Sequence, residues 1–161
     1  MEQNQHFEYK FGEGNKVYLA CPMFCQGEKD FNLKIAHALE EYGYKVFLPQ
    51  RDGLEAALLK DKSEEEVVKI IFDLDYKRVR EADIIFMNLD GRVIDEGANV
   101  ELGMAFALGK RCYGCKTDTR TLQYAMDNNP LVTGCMIKIF KNYDGDKLIK
   151  EIRDYLTTHK L

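Results

Sequence analysis

Three carboxylates in this chain stand where the surrounding pattern does not call for a charge. Glu101 is the only charged residue between Ala98 and Gly109, in a run that is apolar on nearly every side. A carboxylate in such a place has two readings. It can serve the start of a helix, where backbone N–H groups are unpaired and the dipole favours negative charge. Alternatively it is a partly buried nucleophile or base, set among small residues that let a ligand approach. The second reading is preferred, because Asp95 and Asn99 are at hand as better caps. Asp75 falls on the helical stripe of Val68, Phe72 and Val79, an acid among apolar positions. It is either an edge residue partnered by Arg78 or Arg80, or a polar group aimed into a pocket. Asp95 lies with Glu96 in the acidic loop just before Glu101. Together these residues point to carboxylate nucleophilic or acid–base chemistry.

Competing constellations are weaker. Cys112-x-x-Cys115, joined by Cys21 and Cys25, would supply four thiols for zinc or redox work. But Cys112 and Cys115 lie in a strand-like run and no His is suitably spaced, so free buried thiols are expected and no metal. His6, His37 and His159 fall in a leader, a helix and a tail, and read as surface residues. Glu64-Glu65-Glu66 reads as a helix N-terminus. No G-x-G-x-x-G or Walker loop follows the first strand, which disfavours a dinucleotide or ATP, and no cofactor is expected.

The elements that position the acids follow from periodicity. Val17–Ala20, Tyr44–Leu48 and Asp83–Leu89 are short apolar runs rich in β-formers, and the last is apolar enough for a central parallel strand. Arg111–Lys116 and Met136–Phe140 supply a fourth and fifth strand. Phe31, Ile35, Ala38, Leu39 and Tyr42 repeat at helical spacing up to Gly43. A short helix is expected within 51–62. Ser63 with Glu66 is a capping box opening a helix that carries Val67, Ile70, Ile71 and Leu74. Val100–Leu108 is a helix ended by Gly109, which puts Glu101 in its first turn or so. Leu148, Ile149, Ile152, Tyr155 and Leu156 form a last amphipathic helix. The order β-α-β-α-β-α-β-β-α implies one α/β domain over 16–161, flavodoxin-like and doubly wound, with a mostly parallel five-stranded sheet; residues 1–15 read as a flexible leader. In such sheets ligands sit beyond the carboxyl ends of the strands, where Glu101 falls.

With 161 residues the chain is long enough for a core without disulfides or metal. Lys and Arg number 23 against 27 Asp and Glu, a net charge of −4 with no basic run, which argues against a nucleic acid polymer as partner. Residues 1–14 lack the apolar core of a signal peptide, no stretch is apolar for the ~20 residues a membrane needs, and five Cys is an odd count. A reducing, cytoplasmic setting with free thiols is expected.

Asp83-Ile-Ile-Phe-Met-Asn-Leu-Asp90, the acidic loop, and Asn99-Val-Glu-Leu-Gly-Met-Ala-Phe-Ala-Leu-Gly-Lys110 resemble the nucleoside 2-deoxyribosyltransferases. The likeness runs from about Lys16 to Lys110. It implies that Glu101 is the nucleophile and that Asp95, six residues before it, contacts the base and serves proton transfer. It also implies that Asp75 and Gln50 contact substrate and that Tyr18 orients Glu101. A homo-oligomer is implied in which an Asn from a neighbouring subunit holds the sugar hydroxyl, and Asn128 is favoured for it. Some members end in a Tyr that reaches the site, whereas this chain ends His159-Lys160-Leu161.

The resemblance implies transfer of 2-deoxyribose between nucleobases in nucleotide salvage, with deoxyribonucleosides and free bases as the small-molecule partners. Glu101 would attack C1′ while Asp95 protonates the leaving base, with ping-pong exchange through a deoxyribosyl ester. The nearest alternative is a deoxynucleoside or 5′-monophosphate N-glycosidase with water as acceptor. Asp90, Asp95 and Glu96 would repel a phosphate, and only Arg92 would favour it. A non-catalytic nucleotide-sensing domain is the rival from another class, and it has no need of a nucleophile.

Overall fold

The computed structural model of the protein describes residues 14–120 and 127–161. Most of the expected leader, including His6, lies outside the described residues. Gly14 and Asn15 already belong to the fold: the Asn15 side chain donates to the Gly43 carbonyl at 2.9 Å, and its own carbonyl accepts from Lys45.

Five parallel strands form one sheet in the order β2-β1-β3-β4-β5, with β1 Lys16–Ala20, β2 Lys45–Phe47, β3 Ile84–Asn88, β4 Arg111–Lys116 and β5 Lys138–Lys141. This is the flavodoxin-like doubly wound arrangement expected from the sequence. β3 lies at the centre and all five of its residues are buried, as an unbroken apolar run requires when helices cover both faces.

Side chains alternate across the sheet and so feed two separate cores. Val17, Leu19, Ile84, Phe86, Tyr113 and Cys115 face α1 (Gln26–Glu40) and α6 (Gly145–Leu156). Tyr18, Ala20, Ile85, Met87 and Cys112 face the layer of α3 (Glu64–Glu81) and α4 (Glu96–Ala107). Cys112 and Cys115, three apart on a strand, therefore point to opposite faces and do not share a ligand. All five cysteines are free, and among the described residues no group of three or more His, Cys, Asp or Glu is placed to hold a metal.

The capping box is present as read: Ser63 and Glu66 bond each other's backbone N–H groups, which fixes the start of the helix that bears Asp75. Three local readings change. The segment after β2 forms α2 (Pro49–Asp52) and a single 3₁₀ turn, Ala56–Leu59, in place of one short helix within 51–62. An unexpected α5 (Pro130–Gly134) precedes β5, capped by the Asn129 side chain with Pro at its first position, a signal that Asn129-Pro130 carried in plain view. α4 begins at Glu96, a turn earlier than expected, because Asp95 caps it. Leu161 is buried in the α1/α6 core, where its N–H donates to the Tyr44 hydroxyl at 2.7 Å, on the opposite face of the sheet from Glu101. Among the described residues no helix is long and apolar enough to cross a membrane.

Candidate active site

Tyr18 occupies the middle of β1 with its side chain turned to the α3/α4 face. Its ring is fully buried and stacks on Phe47 at 5.5 Å, and Phe47 is covered in turn by the Arg78 guanidinium at 5.0 Å. So anchored, the phenol reaches across to α4, where its hydroxyl donates to Glu101 Oε1 at 2.6 Å. A hydrogen bond to a carboxylate is short and about twice as strong as a neutral one, and here the low dielectric strengthens it further.

Asp95 Oδ1 accepts from the Ala98 N–H at 2.7 Å and closes the first turn of α4. Glu101 is thereby placed in the second turn, beyond the four N–H groups that a cap can serve. The capping reading of Glu101 falls away on that ground, and the acid is left with the tyrosine as its partner. One oxygen of Asp95 is engaged with the helix, which leaves the other for a ligand.

Burial is the largest influence on Glu101 and holds its carboxyl high; the charges of Asp75 and Asp95 push the same way and the Tyr18 hydrogen bond opposes them, for a pKa of about 8. Asp75, half-buried on α3, is likewise raised by burial and eased down by Tyr18. The phenol has one hydrogen and sits between the two carboxyls, so it donates to one of them at a time. Burial and the Glu101 charge keep Tyr18 itself neutral at any ordinary pH. Glu101 therefore retains its proton near neutrality, with the Asp75 and Asp95 carboxylates beside it.

The other expected residues are disposed differently. Gln50, in α2, is held at both ends: its Nε2 donates to the Lys29 carbonyl at 2.9 Å and its Oε1 accepts from Asn32 at 3.0 Å. Asn32 is fully buried, also donates to the Pro22 carbonyl, and accepts from Asn88 at the end of β3. This amide chain braces the loop after β1 against α2 and the carboxyl end of the central strand. It went unnoticed in the sequence because Asn32 and Asn88 are 56 residues apart. Cys21, at the end of β1, was overlooked as part of the site's surroundings; burial, followed by the charges of Glu101 and Asp95, pushes its thiol up to about 12, so it stays a neutral wall. Asn128 does not join Glu101 within the chain: it is buried beside Lys116, on the far side of α4.

The family model for nucleoside 2-deoxyribosyltransferases matches residues 17–143, most of the chain. The chain belongs to the nucleoside 2-deoxyribosyltransferase family. It is thus an enzyme of the deoxyribosyltransferase kind, with transfer or the related N-glycosidase chemistry on small nucleosides and nucleobases. A 2-deoxyribosyltransferase from Bacillus psychrosaccharolyticus is similar in structure at a TM-score of 0.70 and 24% identity, covering 87% of this chain and 91% of that one. A CMP N-glycosidase from Clostridium botulinum superposes at 0.59 and 21% identity over 87% of this chain and 98% of its own. A 2-deoxyribosyltransferase from Leishmania mexicana does so at 0.62 and 16% identity, over 91% and 99%. At these identities the structural likenesses establish the shared fold. No curated protein sequence matches the chain.

In this family member the Tyr18–Glu101 contact offsets part of the rise that burial gives the Glu101 pKa. Following the Glu101 carboxyl by ¹³C NMR should give a midpoint near pH 8 in the wild type, moved upward in Tyr18→Phe, because the bond that favours the ionised form is gone. The stability consequence has a definite sign. A carboxyl raised from 4.5 to about 8 stabilises the fold least above pH 8, where it must ionise while buried. Glu101→Gln should therefore raise the melting temperature at pH 9 and lose that advantage below pH 4.5. An unshifted midpoint in Tyr18→Phe would break the assignment of the contact.

Proposed function

We propose that the enzyme transfers 2-deoxyribose from a deoxyribonucleoside to a free nucleobase by ping-pong exchange, with Glu101 as nucleophile. The observation that carries this reading is the partly buried Glu101, fixed by Tyr18 at 2.6 Å with Asp75 and Asp95 near it. A Glu101 oxygen attacks C1′ as the C1′–N bond breaks, the departing base takes its proton from Asp95, and an α-linked deoxyribosyl ester remains. The second base then attacks C1′ through its ring nitrogen, releases the Glu101 carboxylate and returns a proton to Asp95. Two inversions give net retention.

The cluster supplies its own proton. Before substrate binds, burial places the retained proton on Glu101. A base hydrogen-bonded at Asp95 draws the proton there and leaves Glu101 ionised beside the sugar. Positive charge developing at C1′ then favours the carboxylate in a site where electrostatic interactions are strong. Asp75 and the braced Gln50 are the proposed contacts to the base, and Tyr18 holds the Glu101 rotamer. Nucleosides suit the site better than nucleotides. Asp90 is tied to the Thr117 and Asp118 backbone and to the Thr117 hydroxyl, and leaves carboxylates but only Arg92 as a cation in the acidic loop.

We further infer a homo-oligomer. α3, which bears Asp75, leaves Val68 and Phe72 61% and 55% exposed, with Phe72 stacked on Tyr76 at 5.8 Å, an apolar face suited to a second copy. The resemblance assigns Asn128 to the sugar hydroxyl of a neighbouring subunit.

Incubation with deoxyinosine and adenine should yield deoxyadenosine much faster than free deoxyribose, and Asp95→Asn should slow both by about 10²–10⁴-fold. Free deoxyribose formed as fast as deoxyadenosine would make the enzyme an N-glycosidase instead. Light scattering should report an oligomer, and mixing inactive Glu101→Ala with Asn128→Ala subunits should restore exchange. An active monomer would end the shared-site account.

A further inference from the structure

Beyond the carboxyl ends of β1, β2 and β3, three side-chain amides form a relay that runs in one direction. The Asp90 N–H donates to Asn88 Oδ1 at 3.1 Å, and Asn88 Nδ2 donates to Asn32 Oδ1 at 3.0 Å. Asn32 Nδ2 donates to the Pro22 carbonyl at 2.7 Å and to Gln50 Oε1 at 3.0 Å. Gln50 Nε2 then donates to the Lys29 carbonyl at 2.9 Å. An amide side chain can turn over and exchange its oxygen for its nitrogen, but a backbone group cannot. The Asp90 N–H only donates, so it must meet the Asn88 oxygen. The Pro22 and Lys29 carbonyls only accept, so they must meet the Asn32 and Gln50 nitrogens. Backbone groups at both ends and in the middle thus impose one polarity on all three amides.

Bracing alone does not call for this. Asn32 and Asn88 are 0% and 1% exposed, and apolar side chains of similar size would join the same segments without burying amides. What the relay adds is direction, and it delivers that direction to Gln50, its one half-buried side chain. Gln50 lies three residues beyond Phe47, whose ring stacks on Tyr18, the partner of Glu101. Beyond the bonds of the relay, the Gln50 amide keeps one hydrogen on Nε2 and one lone pair on Oε1. Those two positions cannot be exchanged while Asn32 holds the oxygen.

We propose that Asn32 is a positioning residue that determines base specificity: by fixing the polarity of the Gln50 amide, it makes the enzyme discriminate 6-amino from 6-oxo purines. This role rests on the proposed contact of Gln50 with the base. Adenine carries an amino group beside a ring nitrogen that accepts, and hypoxanthine carries an oxo group beside a ring N–H, so the two edges present donor and acceptor in opposite order. An amide free to turn over would match both. An amide held in one sense matches one edge and sets like against like on the other. Such a mismatch separates substrates by about 5- to 150-fold in kcat/KM.

Adenine and hypoxanthine competing for the sugar of deoxyuridine in a single reaction give the ratio of their kcat/KM values. That ratio does not depend on how much enzyme is folded, so a purely structural loss leaves it unmoved. In the wild type the two bases should differ by about fivefold or more. In Asn32→Leu the ratio should shrink to the value found in Gln50→Ala. A ratio that shrinks in Gln50→Ala but stays at the wild-type value in Asn32→Leu would overturn the role of Asn32 and leave the Gln50 contact standing. A ratio unmoved in Gln50→Ala would count against the Gln50 contact itself and overturn the proposal with it. One reading needs no variant: the wild type should show a scalar coupling across the hydrogen bond from Gln50 Nε2 to the Lys29 carbonyl carbon. Its absence would mean an amide that turns over, and would equally overturn the proposal.

Discussion

The hydrogen bond between the Tyr18 phenol and the Glu101 carboxyl joins the first strand to the fourth helix, and much of the molecule is arranged around it. Placing an acid against a fully buried aromatic is unfavourable in itself, since a desolvated carboxylate loses water that one hydroxyl only partly replaces. The fold supports the arrangement from both sides. Phe47 and Arg78 stack behind the Tyr18 ring, and Asp95 caps α4 so that its second turn, not its first, meets the strand. The contact gives the acid a single rotamer, while burial, only partly offset by the phenol, gives it a raised pKa.

Those two consequences explain why three acids share one small region. Burial first, and then the charges of Asp75 and Asp95, make Glu101 harder to ionise, so it holds a proton that a surface acid would have lost. A leaving base needs that proton, and a nucleophile needs its absence. One coupled cluster satisfies both when substrate moves the proton from one member to another. The cost falls on stability above neutrality, as is common where reactive groups are gathered.

Most of the fold could be read from the chain because its signals were local. The continuous apolar run of β3, the Ser63–Glu66 capping box and the single charge of α4 each declare themselves within a few residues. The doubly wound order then followed from the alternation of strands and helices. The misread parts depended on partners distant in sequence or on cap geometry. The Asn32–Asn88–Gln50 chain links three separated segments, and no short window shows it. The start of α4 hinged on whether Asp95 or Asn99 would cap, a choice between two residues of similar N-cap preference. α5 was signalled by Asn129-Pro130 but is only five residues long, too short for periodicity to register. Within the site, Glu101 stood out by its setting, whereas Tyr18 and Asp75 needed the family resemblance before they could be joined to it. In the structure Tyr18 meets Glu101 directly and sits beside Asp75.

The central claim is that Glu101 carries the sugar between the two half-reactions. Rapid acid quench of the enzyme with a 2′-fluoro-substituted deoxynucleoside, whose ester turns over slowly, followed by peptide mass mapping, tests it most directly. The account predicts one added pentosyl mass on the peptide containing Glu101, discharged when adenine is supplied and missing from Glu101→Ala. Sugar mass on another residue, or full exchange activity in a Glu101→Ala protein purified free of host enzyme, would contradict it.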